Sequence, residues 1–245
     1  MNENSTIEKM HRMHMKAMAG LYHQALSDHL YNNYTTDEFL TLLIDTEWEH
    51  RQKSKIDGLI KKAGFKQVAS PQNIDYQSNR NLDRNVIERL LTLQFLERSE
   101  NIIITGPTGS GKSFLGHCLA TRACQFLYRT QYYPVARLLD KAKLARLDGT
   151  YSKLIKAIAK IPLIMLDDFL LTTVDQAAGS TLLDLIEERY EKKATIIATQ
   201  IPVDQWHGLI GESTMADAIL DRLVYSSHRI ALTGESFRKK KKLSD

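Results

Sequence analysis

The chain has little sulfur chemistry to offer: among its 245 residues there are two cysteines, Cys118 and Cys124. They stand six apart in a stretch that reads as a helix, which sets them about 240° apart around its axis, so they are not expected to pair. Burial as small apolar residues is the plain reading, ahead of metal or redox chemistry. Long hydrophobic runs are missing as well. The apolar stretches Ile102 to Ile104 and Leu163 to Leu166 fall far short of the roughly 20 residues that cross a bilayer, so no membrane span is expected. The opening Met1-Asn2-Glu3-Asn4 lacks the basic start and apolar middle of a secretory signal, and a cytoplasmic location is expected. There is no internal repeat, no low-complexity tract beyond Lys239 to Lys242, and no base-reading motif such as a zinc finger or a recognised helix-turn-helix.

What is present has the ordinary globular balance, 43% hydrophobic and 25% charged, with length for one good core and a smaller satellite domain. Net charge is only +4, but its distribution is uneven. Six basic residues face one acid from His50 to Lys66, seven face two from Pro134 to Lys160, and five face one from Arg238 to Asp245; these sum to +14 and leave −10 for the remainder. Such segregation suits a polyanion-binding surface, because each neutralised phosphate releases counterions, although exposed helices also carry charge for solubility.

Helical spacing dominates the first part of the chain, in Met10, Met13 and Leu21 and again in Phe39, Leu42 and Leu43, and the methionines are expected to pack. Thr36 before Asp37 and Glu38 is a helix start, and Lys62-Ala63-Gly64 a stop. Lys66 to Asn81 is polar, contains Pro71 and shows no periodicity, so it reads as a connector. Two domains follow: a helical one over 1–68 that grips DNA or a partner, and a second over 69–245. In the second, short branched strands alternate with amphipathic helices, the pattern of an α/β fold with a parallel sheet. Strands are expected near 101–105, 131–134, 163–166, 195–198 and 228–232, and helices over 112–127, 136–147, 151–158, 179–192 and 216–223.

Gly106-Pro107-Thr108-Gly109-Ser110-Gly111-Lys112-Ser113 meets every fixed position of the P-loop pattern, between an expected strand and an expected helix. Its glycines let successive backbone N–H groups turn inward around phosphate oxygens, and the helix dipole adds positive potential. Phe114 closes the nucleotide-binding stretch. Lys112 is expected to reach the terminal phosphates of ATP, and Ser113 to offer its hydroxyl to Mg²⁺. The strand Leu163 to Leu166 ends in Asp167 and Asp168, a Walker-B ending: Asp167 for Mg²⁺, Asp168 to orient or deprotonate the attacking water. Thr199-Gln200 would emerge beside the γ-phosphate if their strand lies between the P-loop strand and the Asp167 strand; a plain turn would also explain them. Arg222 is either a cation capping its helix or an arginine finger for a neighbour's γ-phosphate, the latter implying oligomerisation.

Together these motifs resemble the AAA+ superfamily, in its initiator and helicase-loader branch. Leu82-Asp83-Arg84, Leu96-Glu97-Arg98, Leu166-Asp167-Asp168-Phe169, Glu188-Arg189-Tyr190 and Leu220-Asp221-Arg222-Leu223 through Gly234-Glu235-Ser236-Phe237-Arg238, with Glu47-Trp48-Glu49 near the start, look more narrowly like the IstB-type transposition helper ATPases. The resemblance implies a five-stranded P-loop AAA+ core behind a small helical domain. It also implies an ATP-dependent, Mg²⁺-dependent homo-oligomer that binds double-stranded DNA without sequence preference and directs a partner transposase. By the same resemblance Gln200 is the first sensor, Arg222 the finger and Arg238 a second sensor. Asp168 stands where many AAA+ proteins have Glu, which implies slow intrinsic turnover. The 13 residues after Leu232 are too few for a helical lid. Initiator-type relatives carry a DNA-facing helix after the second strand, which nominates Arg137, Lys141, Lys143, Arg146, Lys153 and Lys156 as phosphate contacts; the basic stretch from Arg51 to Lys66 is the second candidate. A replicative helicase loader is the nearest alternative. A small-molecule phosphotransferase and a non-hydrolysing DNA-binding scaffold are more distant ones.

Overall fold

The computed structural model describes residues 3–67, 69–76 and 80–234, and the chain divides into two units, Met1–Gly58 and Leu59–Asp245. The N-terminal unit is helical: α1 (Glu3–Arg12), α2 (Lys16–Ser27), a 3-10 turn at Leu30–Asn33 and the long α3 (Thr36–Ala63). The cap of α3 is Thr35, one residue earlier than the sequence suggested. Thr35 N–H donates to Glu38 Oε2 at 2.8 Å and Glu38 N–H to Thr35 Oγ1 at 3.3 Å, a reciprocal capping box that a cap at Thr36 would have put out of step. Gly64 (φ +71°) ends the helix in the left-handed conformation. Met13 is 56% exposed, against the expectation that it packs, because α1 stops at Arg12 and the chain turns through His14 (φ +59°).

Buried apolar residues are few in this unit, chiefly Ala19, Ala25 and Leu43, and a carboxylate adds its own tie. Glu47, on α3 and almost fully buried, accepts the N–H groups of Ala17 (3.0 Å) and Met18 (3.1 Å) and pairs with Arg51 at 2.8 Å. The donors it takes up belong to the first turn of α2, where backbone N–H groups have no partner inside the helix. Burial alone would raise its pKa, but Arg51 and the two amides outweigh that and hold the carboxyl below its usual value.

In the second unit, α4 (Arg84–Leu91) starts under Asp83, whose Oδ1 accepts from Asn85 N–H at 2.7 Å, and α5 (Gln94–Glu97) follows. The sequence pattern did not announce either helix. Then come β1 (Asn101–Thr105), α6 (Lys112–Gln125), β2 (Thr130–Pro134), α7 (Val135–Leu147), α8 (Tyr151–Ala159), β3 (Leu163–Asp167), α9 (Gln176–Arg189), β4 (Ala194–Thr199), α10 (Trp206–Ile210), α11 (Ser213–Val224) and β5 (Ser227–Ala231). The strands form one parallel sheet in the order β2-β3-β4-β1-β5, all five close to their expected positions.

Period-2 alternation sorts the strand residues onto two buried faces. Ile102, Ile104, Met165 and Ile196 pack with Leu115, Leu119 and Ile87 on one side; Ile103, Ile164, Leu166 and Ile197 pack with Leu138, Leu182, Leu185 and Trp206 on the other. Burial on both faces explains why these strands are apolar throughout rather than alternating in polarity. The helix α6 lies close on the sheet at Gly116, where an added Cβ would come within 2.5 Å of Met165 Cε. Cys118 and Cys124 are free and buried, and burial pushes the Cys118 thiol up to about 12. Among the described residues no helix is long and apolar enough to cross a membrane.

Candidate nucleotide site

The order of the strands builds the site. In parallel sheets, ligands bind beyond the carboxyl ends of the strands, and there β1 delivers the P-loop, β3 delivers Asp167 and β4 lies between them. Thr105 pairs with Thr199 and Asp167 with Ala198, so the three strand ends finish level. Gly106 (φ +149°) begins the loop where a Cβ would approach Leu232 O to 2.5 Å, a position closed to any side chain. Gly111 (φ +96°) caps α6, whose first residues are Lys112 and Ser113.

Lys112 is buried, with Nζ donating to Pro107 O at 2.8 Å across the loop. Asp167 is 2% exposed and surrounded by donors: Ser113 Oγ to Oδ1 at 2.9 Å, the N–H of Asp168 to Oδ1 at 3.1 Å, and Tyr132 OH to Oδ2 at 2.9 Å. Burial, and then the negative charge of Asp167, raise the Tyr132 hydroxyl well above its ordinary value, so it stays a donor. Lys66 Nζ lies 3.7 Å from Asp167 Oδ2 and 4.0 Å from Asp168 Oδ2. Asp168 itself turns into the left-handed region (φ +57°), its side chain about half exposed.

Gln200 Oε1 accepts from Thr108 Oγ1 at 2.5 Å, so the end of β4 meets the P-loop. Thr199 has structural work: its buried hydroxyl donates to Phe169 O at 2.6 Å and accepts from Ile201 N–H at 3.1 Å, fastening the chain after β3 to the end of β4. Thr108, Gly109, Gly111, Lys112, Ser113, Phe114, Asp168 and Gln200 line a common cavity of about 540 Å³. Its remaining wall includes Asn73, Ile74, Asp75, Arg80 and Leu82, from the segment that reads in sequence as a mere connector. Burial lowers the Arg80 guanidinium, and nearby Asp75 counters it. The signal missed was composition: a polar stretch without periodicity that still contains the apolar Ile74 and runs straight into Leu82.

Ser113 and Asp167 present a hydroxyl and a carboxylate beside the cradle. No cluster of three or more His, Cys, Asp or Glu able to hold a metal occurs among the described residues. The Ser113 hydroxyl and the Asp167 carboxylate fit Mg²⁺ carried in with phosphate, which needs one or two protein oxygens and takes its other ligands from phosphate and water.

Arg222 lies at the opposite end of the sheet. Its carbonyl accepts from Asn101 Nδ2, at the first residue of β1, whereas the P-loop follows the last. The Arg222 side chain is 26% exposed; its guanidinium donates to Ala218 O at 3.0 Å and Glu187 Oε1 at 3.2 Å and lies 5.9 Å from the Tyr190 ring. Neighbouring Arg189 is a different object. It is 2% exposed and donates to the carbonyls of Ile158, Ala159, Ile161 and Ala194 and to Thr195 Oγ1. Two of those carbonyls end α8, and desolvation pushes this guanidinium down to about 9.

The six basic residues nominated for DNA sit on α7 and α8 and are exposed. Arg146 is partly committed: it stacks 3.6 Å over Tyr151 and reaches Thr181 Oγ1 at 3.2 Å and Asp184 at 3.8 Å. Leu144 (62% exposed) and Leu147 (78%) stand among them on α7. Arg238 lies outside the described residues, as does the end of the Gly234-to-Arg238 run.

The sheet order, the P-loop and the carboxylate at the end of β3 define a P-loop nucleotide-binding protein with an AAA+ core. Residues 8–245 match the family described as IstB-like ATP binding protein, and the chain belongs to that family. An insertion sequence ATP-binding protein of Sinorhizobium fredii is 37% identical over 234 residues, covering 96% of each chain. Among solved structures, the crystal structure of DnaI is similar with a TM-score of 0.59 and 18% identity, over 72% of this chain and 94% of that one. The DnaC helicase loader is similar with a TM-score of 0.52 and 18% identity, over 60% of this chain and 86% of that one. At such identities the likeness to these two shows a shared fold.

Proposed function

We propose that this chain is a Mg²⁺-dependent ATPase that assembles as a homo-oligomer on double-stranded DNA and directs a partner transposase to it. The observation that carries the reading is the contact between Ser113 and Asp167 beside the P-loop, in a chain whose relatives belong to insertion sequences. The P-loop amides and Lys112 hold the phosphates. Ser113 and Asp167 would hold Mg²⁺, which offsets charge that develops on the transferred phosphoryl group. Asp168 orients the attacking water, and Gln200, hydrogen-bonded to Thr108, registers whether a γ-phosphate is present.

Arg222 supplies positive charge to the γ-phosphate of a neighbouring subunit, because within its own subunit it stands beyond the far end of β1. Its hold on Glu187 is half-exposed and therefore weak, so release costs little. Arg137, Lys141, Lys143, Lys153 and Lys156, with Arg146 partly engaged, bind phosphates of the DNA backbone. The lack of a base-reading motif goes with shape and backbone readout. Residues 1–68 form the domain that grips DNA or the transposase, and Arg238 acts as a second sensor of nucleotide.

A small-molecule phosphotransferase is disfavoured because the second cavity, lined by Arg98, Arg189 and Arg222, lies at the amino end of the strands, away from the cradle. The helicase-loader reading rests on fold likeness at 18% identity. The test is strand transfer into random-sequence target DNA by the partner transposase, with and without this protein, ATP and Mg²⁺. Stimulation that requires all three supports the reading. Stimulation without ATP, or none at all while a replicative helicase is captured, contradicts it.

A further inference from the structure

Lys66 brings a positive charge to the carboxylates assigned to Mg²⁺ and water, and the residues just before it are tied down. Gln131 Nε2 donates to Ala63 O at 3.0 Å, Gly64 turns the chain, and the Phe65 ring packs edge-on against His117 with centroids 5.5 Å apart. Lys66 Nζ then lies 5.6 Å above the Tyr132 ring and within 4.0 Å of both Asp167 and Asp168. The two aromatic partners are themselves fixed to the nucleotide site. His117, wholly buried one turn after Ser113, bonds through Nδ1 to Ser113 O, and Tyr132 holds Asp167 Oδ2. Burial first of all lowers the His117 imidazole, and its Nδ1 is taken up by Ser113 O.

The Lys66 side chain is 57% exposed, so its head can leave the carboxylates without dragging a packed side chain with it. A divalent ion on Asp167 and an ammonium on the same carboxylate repel each other, and they compete for one anionic group. We propose that Lys66, held over the Asp167–Asp168 pair by the Phe65–His117 contact, is a built-in counter-cation that Mg²⁺ displaces, so that the 64–67 strap responds to metal occupancy. Lys66 makes the site tolerable for phosphate before the metal arrives and yields its place when it does. The inference rests on the proposed role of Asp167 in holding Mg²⁺.

The experiment uses the full chain and a fluorescent ADP analogue, titrated in EDTA and across Mg²⁺ concentrations, for wild type, Lys66→Gln, Lys66→Arg and Asp167→Asn, with circular dichroism to verify folding. Removing the ammonium should weaken metal-free binding and lower the Mg²⁺ needed for half-saturation. The ratio of affinity with Mg²⁺ to affinity without it should rise by about three- to fivefold, the scale of a half-exposed ion pair. Lys66→Arg keeps the charge and should keep the wild-type ratio. Hydrogen exchange across 64–67 in the wild type should quicken with nucleotide plus Mg²⁺ and not with nucleotide in EDTA. An unchanged or smaller ratio in Lys66→Gln, while Asp167→Asn abolishes the Mg²⁺ effect, overturns this inference alone. If Asp167→Asn leaves the Mg²⁺ effect intact, the metal assignment and the role of Lys66 both fall.

Discussion

The two ends of the parallel sheet treat charge in opposite ways. At the carboxyl end, Lys112, Asp168 and Gln200 meet around a cavity that other P-loop residues also line, and Ser113 beside it holds Asp167. At the amino end, Arg189 is sealed among five oxygen acceptors, while Arg222, on the neighbouring helix, keeps a quarter of its side chain in solvent and bonds to one carbonyl and one exposed acid. A cation whose donors are consumed by carbonyls belongs to the fold. A cation held loosely at the surface is available to a ligand.

That contrast breaks first at Lys112. Lys112→Ala should abolish hydrolysis and weaken nucleotide binding by about a hundredfold, the scale of losing a charged hydrogen-bond donor, as read by titration of a fluorescent nucleotide. Arg222→Ala should cut the ATPase rate of the assembled state by on the order of 10³-fold while leaving nucleotide affinity within about twofold. Equal loss of affinity in Lys112→Ala and Arg222→Ala would sink the finger assignment. Arg189→Met should do the reverse of both: a stability loss of about 3 kcal/mol in urea unfolding, since it orphans several buried carbonyls, with the nucleotide affinity of the folded protein unchanged.

The smallest effect tests the same rule in the N-terminal unit. Glu47→Gln removes a buried, fully engaged carboxylate and should cost about 1 kcal/mol at neutral pH. The sign with pH follows from its direction of shift. Because the folded group sits below the ordinary glutamate value, its contribution is complete above that value and drains away as pH falls through the lower folded one. The Gln variant should therefore lose less stability than wild type between neutral and strongly acidic pH, measured by thermal unfolding across that range.

Much of this molecule is legible in its sequence because its strongest signals are local. Each strand is a short branched run, and the P-loop is contiguous, so neither needs knowledge of what lies across the sheet. The ends of β3 and β4 could be read as site residues once the P-loop fixed which end of the strands mattered. Thr199 and Gln200 show the limit: adjacent in sequence, the last residue of β4 fastens a loop and the first residue beyond it reaches the P-loop. Arg80 and Lys66 were hidden because they come from a segment without periodicity, and only the closed fold brings it against the cradle. Arg189 was hidden for the converse reason, since nothing local distinguishes an arginine inside the core from one on a helix surface.

The central claim is that nucleotide controls assembly on DNA, and light scattering measures it directly. The protein is mixed with random-sequence duplex DNA in ATP, in ADP and without nucleotide, and the mass of the complexes is followed. The account predicts a discrete oligomer with ATP alone. A monomer that ignores DNA in all three states would contradict it.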